Sequence, residues 1–217
     1  MPLSAALWDL DGTIVDTAPF HWLAWRDTMA DEGRPLTYER FARTFGLRND
    51  QTLPVLLGAQ VSDAEIARIG DAKEARFRER VAAQPPVILP GVLHWLAALR
   101  SAGWRQALAT MAPRPNLEVI VASLGLGVYF DAAVASEDVE RGKPDPQVFL
   151  LAAQRLGVPP GRCVVVEDTA AGAEAARRAG MRCIGVNRDH ASLSADVLVP
   201  ALDALPPDAF ARLVVGV

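Results

Sequence analysis

A chain of 217 residues is long enough for one full domain with a sizeable core, alone or with a small insert, and needs no stapling. Hydrophobic residues make up 51% and charged residues 22%, the balance of a packed globule rather than a disordered chain. The formal net charge is −4, so no electrostatic drive toward nucleic acid or an anionic membrane surface is expected.

Ala5-Ala6-Leu7-Trp8 is a short apolar run that stops at Asp9 and predicts a buried strand. From about Thr17 to Ala83 the pattern is helical, with no convincing strand. Within it Ser62-Asp-Ala-Glu65 reads as a capping box, after which Ile66, Ile69, Phe77 and Val81 share one helical face. Gln84-Pro85-Pro86 closes the stretch as a stiff linker. Past Pro90-Gly91 strands and helices alternate. A helix through Val92, Leu96 and Leu99 stops at Gly103, and Ala107-Leu108-Ala109 is a strand ending at Thr110. A helix at 117–124 and a short strand at Ala132-Ala133-Val134 follow, then a helix from Pro146 to Leu156. Val164-Val165-Val166 is the clearest strand and runs into Glu167-Asp168. An alanine-rich helix from Ala170 to Ala179 comes next, then strands at Cys183 to Val186 and Val197-Leu198-Val199. Such alternation predicts an α/β chain with a Rossmann-like, doubly wound parallel sheet core. Residues 1–15 and 87–217 would form the core, and 16–86 an inserted helical cap.

The two cysteines, Cys163 and Cys183, lie in apolar runs and read as reduced, buried thiols, with a spacing that matches no zinc pattern. No run of about 18 apolar residues predicts a membrane span. Asp9 and Asp11 near the start argue against a signal peptide, so a cytoplasmic location is expected. No exposed apolar stripe demands a partner, and a monomer is expected.

In open parallel sheets ligands bind beyond the carboxyl ends of the strands, so the residues after each apolar run matter most. Asp9 and Asp11 follow the first, Thr110 the second, Gly142-Lys143-Pro144 the third, and Glu167 and Asp168 the fourth. Asp9 and Asp168, with Glu167, offer carboxylate oxygens to a hard cation, which suits Mg²⁺ and, without a His or Cys cluster, not zinc. An Asp beside such an ion is a nucleophile for phosphoryl transfer through an aspartyl-phosphate. Lys143 would neutralise the oxygens of the transferring group and Thr110 would donate to it. Asp11, two residues on, would protonate the leaving oxygen and then take a proton from water.

Asp9-Leu-Asp11-Gly12-Thr13, Thr110, Gly-Lys143-Pro-Asp-Pro and Val-Val-Glu167-Asp168-Thr resemble the four ordered motifs of the haloacid dehalogenase-like phosphatase superfamily. The resemblance implies Asp9 as nucleophile and Asp11 as general acid/base. It also implies a Mg²⁺ site of Asp9, the Asp11 carbonyl, Glu167 and Asp168, with Lys143 steadying the phosphoryl group. The stretch from Asp16 to Trp25 resembles the hinge and first cap helix of β-phosphoglucomutase-like members, which implies that His21 aligns Asp11 and that Trp25 lies near the hinge. Phe45-Gly46-Leu47-Arg48-Asn49 resembles the cap's specificity loop, so Gly46, Arg48 and Asn49 join His21 and Trp25 as expected substrate contacts. The mutases carry Lys where Phe45 stands, and a second Ser and a Lys where this chain reads Met111-Ala112-Pro113. Those departures favour a phosphatase of a small phosphorylated metabolite over a mutase. A non-catalytic binding module is the third reading, disfavoured by intact Asp9, Asp11, Lys143 and Asp168.

Overall fold

The computed structural model describes residues 3–186 and 193–214. Strands β1 (Ala5–Trp8), β4 (Arg105–Ala109), β5 (Ala132–Val134), β6 (Cys163–Glu167), β7 (Arg182–Val186) and β8 (Val197–Val199) form a parallel sheet in the order β5-β4-β1-β6-β7-β8. The first strand is central: Ala5 is registered with Arg105 on one side and Cys163 on the other. Both faces of the sheet are covered, which is why its strands read as unbroken apolar runs. Ala6, Trp8, Val164 and Val166 face one core, with α5 (Val92–Ser101), α6 (Arg114–Ser123) and α9 (Ala209–Val214). Ala5, Leu7, Cys163 and Val165 face the other, with α7 (Gln147–Leu156) and α8 (Ala170–Arg178).

Between β1 and β4 the chain leaves the sheet. A two-stranded antiparallel ribbon of β2 (Val15–Asp16) and β3 (Val87–Ile88) carries it out and back, pairing Val15 with Ile88 and Asp16 with Val87. Beyond the ribbon stand α1 (Ala18–Asp31), α2 (Tyr38–Ala42), α3 (Asn49–Leu57) and α4 (Asp63–Ala83), around a separate cluster that includes Trp25, Phe41, Leu53 and Ile69. The capping box forms as expected: Ser62 accepts from the Glu65 amide while Glu65 reaches back to the Ser62 amide. No described helix is long and apolar enough to cross a membrane.

Two boundaries differ from expectation by two residues or more. The second sheet strand starts at Arg105 because Gln106 is polar yet fully buried; its amide accepts from Trp8 Nε1 at 3.1 Å and donates to the Leu96 carbonyl at 2.9 Å. The helix expected at 117–124 starts at Arg114, since Pro115 in its first turn removes an amide that has no partner there in any helix. Both cysteines are free and buried, and burial pushes each thiol up to about 12.

Candidate active site

The carboxyl ends of β1, β4 and β6 meet under α1 and α4, around a cavity of about 310 Å³. Asp9 extends the first strand, its amide bonded to the Val166 carbonyl at 3.0 Å. Lys143 Nζ donates to Asp9 Oδ1 at 2.5 Å and to Glu167 Oε1 at 2.7 Å, with its charge over the Phe149 ring. Burial works against that charge, yet the two carboxylates outweigh it and raise the ammonium's pKa. Burial also raises the Asp9 carboxyl well above the usual range, against the pull of Lys143 and with help from Glu167 and Asp168. Thr110 is buried at the end of β4; its hydroxyl accepts from the Ala112 amide at 3.0 Å and keeps a proton to donate into the cavity it lines.

Glu167 lines the cavity but has both oxygens engaged. Oε1 takes Lys143, and Oε2 accepts from the amide of Thr169 at 2.7 Å and its hydroxyl at 2.8 Å. Thr169 caps α8 by accepting from the Gly172 amide. A Cβ on Gly172 would come within 1.8 Å of Glu167 Oε1, so only glycine leaves room for this carboxylate under the helix N-terminus. Asp168 does not line the cavity. It lies behind Gly12, whose φ of +85° suits glycine and whose added Cβ would sit 2.1 Å from Asp168 Oδ2. Thr13 donates to Asp168 Oδ1 at 3.1 Å, while burial and Glu167 push the Asp168 carboxyl up to about 7.

Among the described residues, no three His, Cys, Asp or Glu side chains stand in metal-holding geometry. The four expected ligands therefore do not form a ready cage, because the Lys143 ammonium sits between Asp9 and Glu167.

Asp11 faces the cavity from a separate network. Thr17 donates to its Oδ1 at 2.5 Å, and His21 Nε2 lies 3.3 Å from the same oxygen. Lys73 Nζ lies 2.9 Å from His21 Nδ1; an ammonium only donates, so Nδ1 accepts and the neutral ring carries its proton on Nε2, toward Asp11. Burial and the Lys73 charge hold His21 below its usual range and neutral. Burial alone would raise Asp11, but the His21 and Thr17 bonds keep its carboxyl low and ionised. The His21 ring stacks on Phe77 at 4.1 Å.

The remaining expected contacts divide. Gly46 and Arg48 line the cavity, with Arg48 Nε 3.3 Å from Asp50. Asn49 also lines it but donates to Glu74 at 2.9 Å. Trp25 lines the cavity too, but it is 4% exposed and belongs to the helical cluster, with Lys73 Nζ 5.3 Å from its ring centroid. The sequence reading missed Lys73 and Glu74. The signal was there: both fall on the inward stripe of α4 with Ile69, Gly70 and Phe77, and a charged pair on a buried face requires partners.

The haloacid dehalogenase-like hydrolase family model matches residues 3–180. The chain belongs to this family. Among haloacid dehalogenase-like relatives, it is 33% identical to a phosphorylated carbohydrates phosphatase of Thermotoga maritima, over 84% of each chain. It is 32% identical to a β-phosphoglucomutase of Bacillus subtilis, over 91% of this chain and 89% of that one. A solved structure of a mutant CbbY from Rhodobacter sphaeroides in complex with xylulose-(1,5)bisphosphate superposes with a TM-score of 0.85 at 31% identity, covering 94% of this chain and 96% of that one. The protein is thus an enzyme on the phosphatase and phosphoglucomutase branch of the family.

Proposed function

We propose that the protein is a Mg²⁺-dependent phosphatase of a small phosphorylated carbohydrate, working through an aspartyl-phosphate on Asp9. One observation carries this reading: Asp9 and Asp11 face one cavity but are held by separate networks, Asp9 by Lys143 and Asp11 by Thr17 and His21. A nucleophile and a proton carrier need that separation of environments.

The buried Asp9 and Glu167 share the Lys143 ammonium, and the half-buried Asp168 adds a third carboxylate beside them. Their charge and all-oxygen chemistry fit a hard divalent cation. Asp9, Asp168 and the Asp11 carbonyl would hold it, with Glu167 beside them. When bound, Mg²⁺ would supply positive charge to the phosphoryl oxygens. Residues 16–86 act in this reading as a cap over the substrate.

Asp11, ionised in the free protein, takes the proton of the bound phosphate monoanion; an Asp9 oxygen then attacks phosphorus, the ester bond breaks, and the leaving oxygen takes that proton from Asp11. Water then attacks the same phosphorus while giving a proton back to Asp11. The Asp9–phosphoryl bond breaks and inorganic phosphate leaves. Lys143 and the Thr110 hydroxyl steady the transferring group throughout. The phosphatase and the sugar-bisphosphate complex among the relatives support a carbohydrate substrate. The apolar Phe45 and Met111 at the cavity wall favour hydrolysis over the mutase alternative, which would have to hold a second phosphate during transfer.

The test is phosphate release with Mg²⁺ over a panel of sugar phosphates and phosphoglycolate. β-Glucose 1-phosphate with a trace of glucose 1,6-bisphosphate is assayed in parallel for glucose 6-phosphate. Fast phosphate release is expected; glucose 6-phosphate formation with little free phosphate would establish the mutase instead.

A further inference from the structure

Asn116 lies in the first turn of α6, beside the sheet, and is fully buried. Both ends of its amide are bonded, and both partners lie on α4. Nδ2 donates to Glu74 Oε2 at 2.6 Å, and Oδ1 accepts from Arg78 Nη1 at 3.2 Å. Glu74 is itself only 6% exposed. Its other oxygen takes Lys73 at 2.9 Å and Asn49 at 2.9 Å. Lys73 in turn meets His21, and His21 meets Asp11.

The run Asn116–Glu74–Lys73–His21–Asp11 therefore starts on the sheet-bearing body, crosses α4 and α1, and returns to that body at the loop after β1. The Asn116–Glu74 bond spans the seam between α4 and α6. Parting the two helices breaks it and leaves the Glu74 carboxylate held through Oε1 alone, by Lys73 and Asn49. With its other oxygen released, Glu74 no longer fixes where Lys73 stands, which loosens the ammonium on His21 Nδ1 and with it the His21 tautomer that donates to Asp11.

We propose that Asn116 is a positioning residue, whose bond to Glu74 latches α4 onto α6 and so sets Asp11, through Lys73 and His21, for proton transfer. The proposal rests on the reading of Asp11 as the acid/base. A seam bond with only a packing role would change stability and leave turnover by the folded protein alone.

A double-mutant cycle tests it, with p-nitrophenyl phosphate and Mg²⁺ as the probe. Asn116→Asp sets a second carboxylate against Glu74. In the parent background kcat should fall about 100-fold, the size of effect expected from misplacing a reacting group by an ångström. The helical circular dichroism should persist and the radius of gyration by X-ray scattering should rise. In the Glu74→Gln background the same change should cost no more than about threefold, because the new amide donates to the new carboxylate. An equal cost in both backgrounds, or a parental kcat in Asn116→Asp, would overturn the latch. Should Asn116→Asp not fold, Asn116→Ala removes the bond without adding charge; about a tenfold loss of kcat is expected, one hydrogen bond's worth, and an unchanged kcat overturns the proposal. Should the parent not hydrolyse p-nitrophenyl phosphate, the phosphatase reading fails by itself. The difference in radius between Asn116→Asp and the double variant then still decides the latch, and no difference overturns it.

Discussion

Asp9 and Asp11 are two residues apart yet live in different electrostatic surroundings. Asp9 shares one ammonium with Glu167 in a buried, carboxylate-rich pocket, whereas Asp11 accepts from a hydroxyl and a neutral imidazole. Asn at position 9 cannot act as the nucleophile, so Asp9→Asn should reduce phosphate release to background, and ordinary turnover would refute the aspartyl-phosphate route. Asp11→Asn should lower kcat by about 10²–10⁴-fold, the usual worth of a placed acid/base. With a good leaving group it should still accumulate phosphoenzyme, visible as a mass increase of the intact protein. Gly12→Ala should also inactivate, since its Cβ would meet Asp168 Oδ2 at 2.1 Å; a parental Mg²⁺ dependence in that variant would argue against Asp168 as a ligand. The motif residues were legible in the sequence because each follows an apolar strand. Asn116 was not, because its partners Glu74 and Arg78 lie tens of residues away and meet it only once helices are packed.

At the level of elements, polar side chains tie strand ends to helix ends. Asp138, in the turn after β5, accepts from the Ala135 amide, from both terminal nitrogens of Arg155 on α7, and from Arg114 at the start of α6. Led by the Arg155 bond, these contacts lower its carboxyl to about 2. A depressed folded-state pKa gives stability that is present above the ordinary carboxylate range and is lost as pH falls through about 2. Asp138→Asn should therefore lower stability at pH 7 by about 1 kcal/mol after solvent screening. The gap between variant and parent in urea midpoint should shrink as pH falls toward 2 and close only below it, and a gap independent of pH would contradict the assignment. Element types came through in the sequence wherever the apolar period was clean, as at Val164-Val165-Val166. Boundaries slipped where a buried polar residue such as Gln106 broke that period, its partners Trp8 and Leu96 lying on other elements.

Across the molecule, the sheet order puts β4 and β6 on either side of β1, so loops from distant parts of the chain converge above one strand. The alternation of strands and helices implied a parallel sheet, but strand order is fixed by crossovers that leave no local trace in composition. The three carboxylates grouped around one ammonium lead to a prediction for the whole enzyme. EDTA should abolish phosphate release and Mg²⁺ restore it, and Mg²⁺ should raise the thermal midpoint by binding the folded state alone. Metal-independent turnover would remove the proposed site.

The ribbon of β2 and β3 has a mechanical consequence. Two separate tethers would let the helical part slide, twist and tilt independently of the sheet. Pairing Val15 with Ile88 and Asp16 with Val87 ties both tethers into one strap, whose easy deformation is bending across its width. Any motion of α1 to α4 relative to the sheet would thereby be reduced toward a single rotational degree of freedom, and would bring His21 back over Asp11 on the same arc.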